Sequence, residues 1–256
     1  MSRAQDCGMS PYGTMHQNYI PIGNAFEPPN SVLHRSAWQD AVLIAGFLAE
    51  GKWQDKKPAR WEDDQVEGEI EEMVRKMDQV PMNRGTELDI HNEAVDFTPR
   101  FENVCLFDGH SHPRTYRLVQ TVSQIGWFVV QYFKDEFKRL RPSRVDARKI
   151  HPIIRVPSHP SFPSGHATQS RLVGRALIDI MGLQDADPSD KALKERIEQV
   201  AREIGVNRER AGVHYPSDTA AGVTLGDDVY ELIEKYVPLH DLILSARAEW
   251  CDKADR

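Results

Sequence analysis

Three short segments hold residues whose types and spacing suit the grip of an oxyanion. The first is Lys134-x6-Arg141-Pro142. Seven residues is nearly two helical turns, so on an unbroken helix Lys134 and Arg141 share a face, with Lys138 between them. The second runs Ser161-Phe162-Pro163-Ser164-Gly165-His166-Ala167. It falls where a helix is expected to start, and unpaired backbone N–H groups there attract anions. Ser164 adds a hydroxyl donor, Gly165 lets the backbone approach closely, and His166 stands at the rim. The third is Arg208-x5-His214-x3-Asp218. An aspartate four residues after a histidine, in the first turn of the next helix, can bond one ring nitrogen. That fixes the tautomer and frees the other nitrogen to act as a nucleophile.

The elements that must position these residues read as helices. Residues 1–33 are rich in Pro, Gly and Asn and are expected to form an irregular arm. From residue 36 apolar residues recur at helical spacing, and a second helix is expected over 64–80, with Ile70, Met73, Val74 and Met77 on one face. Residues 81–114 read as irregular and polar. A long helix follows over about 115–140 and ends at Arg141-Pro142, because proline disfavours helix before it. Residues 143–163, with prolines at 152, 157, 160 and 163, read as a long loop of the kind that carries function. Further helices are expected over 165–181 and 190–205, and from Pro216 onward. The last carries Ala220, Ala221, Gly222 and Gly226, small enough for close helix contact. No stretch alternates like a strand, and no repeat is visible. The expected class is all-α: one helical bundle over 34–256 behind the arm.

Composition narrows the function. The chain has 256 residues, 40% of them hydrophobic, as suits a globular protein. It carries 32 basic and 39 acidic residues for a net charge of −7, which argues against general nucleic-acid binding. Any anion site must be a local basic cluster. Cys7, Cys105 and Cys251 lie far apart with no CxxC pair, leaving no zinc site of that type and at most one disulfide. His110-Ser111-His112 lacks an obvious third ligand and reads as a polar loop. The N-terminal residues have no apolar signal core. As it stands the chain reads as soluble and cytoplasmic, or as periplasmic or secreted if a signal was removed. The most apolar stretch, 118–133, carries three glutamines, so no transmembrane segment is expected.

Taken together, in order and spacing, the three segments resemble the three-part signature of type-2 phosphatidic acid phosphatases. Bacterial class A acid phosphatases and vanadium haloperoxidases share that signature. The resemblance covers about residues 115–235. Asn207 departs from it, because the family usually has Ser before the arginine. The resemblance implies a small-molecule phosphate ester as substrate. Lys134, Arg141, Ser164, Gly165 and Arg208 would bind its phosphate, the arginines as bidentate forks. His214 would attack phosphorus and form a phosphohistidine. His166 would protonate the leaving alcohol and then activate water, and Asp218 would orient His214. With three cations in the signature, neither a metal ion nor another cofactor is required. Vanadium haloperoxidase is the alternative, with vanadate bonded to His214. The phrase His159-Pro160-Ser161-Phe162 looks like the bromoperoxidase branch and makes His159 a candidate wall of the site. The run from Ala211 to Asp218 looks more like a phosphatase. Members of the superfamily often associate through helix faces, which leaves room for a homo-oligomer.

Overall fold

The computed structural model of the protein describes residues 30–251. Ten α-helices follow one another: α1 (Asn30–Glu50), α2 (Val66–Asp78), α3 (Arg84–Glu93), α4 (Thr98–Cys105), α5 (Pro113–Phe137), α6 (Pro142–Val145), α7 (Gly165–Ile180), α8 (Pro188–Arg210), α9 (Pro216–Lys235) and α10 (Val237–Cys251). Short 3-10 turns cover Lys52–Lys56, Asp63–Gln65 and Val80–Met82. The fold is all-α, with no strand among the described residues.

The bundle is built around α7. Its apolar positions Leu172, Val173, Ala176, Leu177 and Ile180 recur at helical spacing, and all are buried. They meet α5, whose buried stripe runs from Leu118 through Val122, Ile125 and Val129 to Phe133. On its other sides α7 packs against α8 and α9, while α10 closes over α5. One continuous core joins residues of α1, α4, α5 and α7 to α10. Two smaller clusters lie under the segment that carries α2 and α3: Ile70, Met73, Ile150 and Tyr215 in one, and Val80, Ile90, Ala211 and Val213 in the other.

The small residues of α9 set how closely it approaches α7. A Cβ at Gly222 would lie 2.6 Å from the Ser164 carbonyl oxygen and 3.0 Å from the Ala167 Cβ. Gly222→Ala must therefore push α9 away from the N-terminus of α7. We expect it to destabilise the protein by about 1–3 kcal/mol, the usual cost of overpacking a close contact. Denaturant unfolding checks this, and an unchanged midpoint would show that the two helices separate freely.

The structure departs from the sequence expectations in several places. Of the arm expected over residues 1–33, only 30–33 fall among the described residues, and they begin α1. Residues 81–114 are not irregular: they contain α3 and α4, the former capped by the Asn83 side chain, which accepts from the Gly85 and Thr86 N–H groups. The long helix stops at Phe137, not near 140, because Lys138 takes a left-handed conformation at φ 53°. Lys134 and Arg141 therefore do not share a helix face, and Lys138 is exposed. Helix α8 extends to Arg210, past its expected end near 205, and so includes Arg208. Helix α10 was not anticipated as a separate element. Cys105 is buried and free, whereas Cys251 is disulfide-bonded.

Candidate active site

The three segments meet at one end of the bundle because each lies at a helix terminus. Arg141 is the extended residue before α6, Ser164 the N-cap of α7, and His214 lies just before α9. Arg208, in the last turn of α8, is brought beside them by the tight turn at Gly212. Gly212 has φ 76°, a left-handed conformation that side chains other than glycine rarely take. It is also crowded: a Cβ there would sit 3.1 Å from Met77 Cε and 3.2 Å from Pro152 Cα.

His214 sits between an acid and a base. Its Nδ1 lies 3.0 Å from Asp218 Oδ2, and its Nε2 lies 3.1 Å from Arg141 Nη1. A guanidinium only donates, so Nε2 must hold a lone pair and Nδ1 the proton. His214 is thus neutral, with the orientation a nucleophile needs. Burial pushes its pKa well below the ordinary histidine value, and Arg141 and Lys134 push it the same way. Asp218 also receives the Tyr215 backbone N–H at 3.1 Å. Its Oδ1 takes Arg139 Nη1 at 2.7 Å. Burial raises this carboxyl above the ordinary aspartate value, against the opposing pull of Arg139 and Lys134.

His166 is tied by Nε2 to the Glu93 carbonyl at 2.9 Å. A carbonyl only accepts, so Nε2 carries a proton and Nδ1 is the nitrogen left for exchange. Burial first, then Arg208, lower its pKa to about 3. His159 is half-buried, with Nδ1 3.2 Å from Arg141 Nη2, and burial together with Lys134 lowers its pKa to about 4.

The cations differ in what they can still offer. Lys134 spends its three donors on the carbonyls of Pro160, Ser161 and Pro163, at 2.9, 2.6 and 2.6 Å. It pins the loop before α7 and gives the site its charge. Arg141 is committed to the carbonyls of Val213, His159 and Pro160 as well as to the two histidines. Arg208 is anchored by Nη2 on Glu93 Oε2 and the Ile90 carbonyl, both at 2.9 Å. Its Nε and Nη1 are buried and meet no protein acceptor. Buried donors without an acceptor are costly, and a bound anion would satisfy them. At the α7 N-cap, the Ser164 backbone N–H is spent on the Asp218 carbonyl at 2.9 Å, while its hydroxyl proton is still free to donate. A Cβ at Gly165 would meet Gln169 and Val130 at an ordinary 3.7 Å, so the protein itself does not demand glycine there.

Two residues that hold the site were missed from the sequence. Glu93, at the end of α3, is 1% exposed, and its carboxylate gathers Arg208, Asn207 and Arg100. Arg139 is the other. Asn207, the departure from the usual Ser, donates to both Glu93 oxygens at 3.1 and 3.0 Å. His112, from the polar loop, stacks on Trp250 at 4.4 Å.

The charge balance gives a test. A bound dianion offsets the cations that hold His166 down, so its pKa must rise on binding. An imidazole whose pKa rises on binding takes up part of a proton, and binding tightens as pH falls. We expect sulfate, whose charge is fixed in this range, to bind with net proton uptake. Calorimetry in two buffers of different ionisation enthalpy measures it, and proton release would contradict the site as described.

Residues 118–227, which contain all three segments, match the model of the PAP2 superfamily. Over 114 residues the chain is 34% identical to the decaprenylphosphoryl-5-phosphoribose phosphatase of Mycobacterium tuberculosis, covering 44% of this chain and 58% of that protein. Over 93 positions it is 30% identical to the vanadium-dependent bromoperoxidase of Ascophyllum nodosum, covering 28% of this chain and 17% of that one. The chain thus spans less than two thirds of either relative. Among solved structures it is similar to a transmembrane PAP2 type phosphatidylglycerolphosphate phosphatase from Bacillus subtilis. The TM-score is 0.51 at 18% identity, over 78% of this chain and 96% of that one, a likeness of fold. Among the described residues of this chain no helix is long and apolar enough to cross a membrane.

Proposed function

We propose that the chain is a metal-independent phosphomonoesterase that transfers the phosphoryl group first to His214 and then to water. The observation that supports this most is His214 itself, a buried neutral imidazole whose Nε2 lone pair lies among cations, with Nδ1–H fixed on Asp218. Phosphoryl transfer needs charge neutralisation around phosphorus and an in-line nucleophile. Arg208 offers its two unpartnered donors to the phosphate oxygens, Ser164 its hydroxyl, and the first turn of α7 its Gly165 N–H. Lys134 and Arg141 supply charge. His214 Nε2 attacks phosphorus as the bond to the alcohol oxygen breaks, and His166 Nδ1 gives that oxygen its proton. His166 then takes a proton from water, whose oxygen attacks phosphorus. The P–N bond breaks, and inorganic phosphate leaves.

The alcohol half belongs to a small-molecule phosphate ester. The name of the mycobacterial relative makes sugar phosphates and lipid-linked sugar phosphates the first compounds to screen. A second reading, haloperoxidase, draws on His159 beside Arg141 and on the bromoperoxidase likeness. His214, Arg208 and Arg141 suit vanadate as well as phosphate, and bound vanadate would supply activation of peroxide. The deciding experiment compares the protein with phosphate esters against the vanadate-loaded protein with peroxide and bromide. We expect steady phosphate release, inhibited competitively by vanadate, and weak halide oxidation. Rapid bromination with negligible ester hydrolysis would reverse the assignment.

A further inference from the structure

Arg139 is not one of the fixed residues of the signature, but it lies within the first segment, two residues before Arg141, and bonds to the other two. Its carbonyl accepts the Ser161 N–H at 2.9 Å, in the loop that leads to α7. Its side chain, 4% exposed, crosses to the start of α9. There Nη1 donates to Ser217 Oγ and to Asp218 Oδ1, each at 2.7 Å. Nη2 donates to Glu69 Oε2 at 2.7 Å, and Glu69 Oε1 in turn accepts the Ser217 N–H at 2.7 Å. The guanidinium carbon also lies over the rings of Trp61, at 4.5 Å, and Tyr215, at 3.8 Å. A cation with two aromatic rings against it and hydrogen bonds at its edge is held in one orientation.

We propose that Arg139 is a positioning residue for the His214–Asp218 pair, holding Asp218 Oδ1 so that Oδ2 stays fixed on His214 Nδ1. The proposal rests on the reading of His214 as the nucleophile. When Nε2 bonds to phosphorus, the ring becomes cationic and its Nδ1–H acidic. A fully buried carboxylate with the Tyr215 N–H as its other fixed donor would be more ready to take that proton or to arrive already protonated. Arg139 draws charge from Asp218 and keeps it an ionised acceptor. The charged groups around the pair are few. Asp218 faces Arg139 and Lys134, and His214 faces Arg141, Lys134, His166 and His159. Glu69 faces Arg139 from α2. Arg139 is the one cation among them that bonds the carboxylate directly.

The test compares wild type with Arg139→Gln and Arg139→Lys on one phosphate ester, so that titration of the substrate cancels. Without the cation, both Asp218 and His214 hold protons more readily, and the acid limb of the kcat profile moves up. We expect Arg139→Gln to lower kcat about 100-fold, leave KM within about 3-fold, and raise that limb by about one pH unit or more. Arg139→Lys keeps the charge but loses the fork. It should leave the limb in place and lower kcat about 10-fold. An unmoved limb in a folded Gln variant, or a loss carried by KM, overturns the proposal. If the Gln variant does not fold, a Lys variant with wild-type kcat overturns it. Titration of His214 by ring-nitrogen NMR reads the same shift without turnover. A wild type with no esterase activity would thus sink the phosphatase reading, while the His214 titration still decides on Arg139.

Discussion

His214→Ala is expected to lower hydrolysis of every phosphate ester by at least about 10⁴-fold, because it removes the atom that bonds to phosphorus. The loss should be the same for good and poor leaving groups, since both need the same nucleophile. The fold should survive. His214 packs at the start of α9, and Asp218 keeps the Tyr215 N–H and Arg139 as partners. Anion binding should also survive in part, because Arg208 and the α7 N-terminus are untouched. Steady-state kinetics and sulfate calorimetry on the same sample separate the two effects. A variant that binds sulfate and still hydrolyses esters within 10-fold of wild type would remove His214 from the chemistry.

His166→Ala is expected to show a different pattern, graded by the leaving group. Removing a general acid costs about 10²–10⁴-fold where the departing oxygen needs a proton. An alkyl phosphate should lose that much. A nitrophenyl phosphate, whose phenolate leaves unaided, should lose far less in the first step, with phosphohistidine hydrolysis then becoming slow. A burst of nitrophenol followed by a slow steady rate is therefore expected. Equal losses for both esters, with no burst, would mean that His166 holds the phosphate rather than moving a proton. The low pKa of about 3 in the free site is consistent with the acid role, because the bound dianion supplies the charge that lifts it.

Much of this site was legible in the sequence, because the chemistry lies at helix termini that the sequence punctuates. Pro163 and Ser164 mark the start of α7, and Pro216 the start of α9, so the helix starts near Gly165 and Pro216 agree with the structure. The end of α5 was misplaced. The residue that stops it, Lys138, is neither glycine nor proline, yet it takes a left-handed conformation and its N–H caps the Lys134 carbonyl. The inferred shared face of Lys134 and Arg141 fell with it. The stretch 81–114 hid two helices because α3 offers little apolar periodicity, with only Leu88 and Ile90 in ten residues. Glu93 reads as one more solvated acid until Arg208, Asn207 and Arg100 are seen around it. Arg139 is one of several basic residues in Lys138-Arg139-Leu140-Arg141, and no local pattern separates it from the exposed Lys138. Burial of a charge by partners 70 to 115 residues away leaves no periodic trace in the sequence.

The most direct test of the central claim is to trap the phosphoryl-enzyme. The protein is mixed with a labelled nitrophenyl phosphate, quenched within milliseconds into base, digested, and the modified peptide sequenced by mass spectrometry. We expect one phosphorylated residue, His214, with a bond that survives base and breaks in acid, and a larger yield in His166→Ala. Label on another residue, or no covalent label under conditions of rapid turnover, would contradict the account.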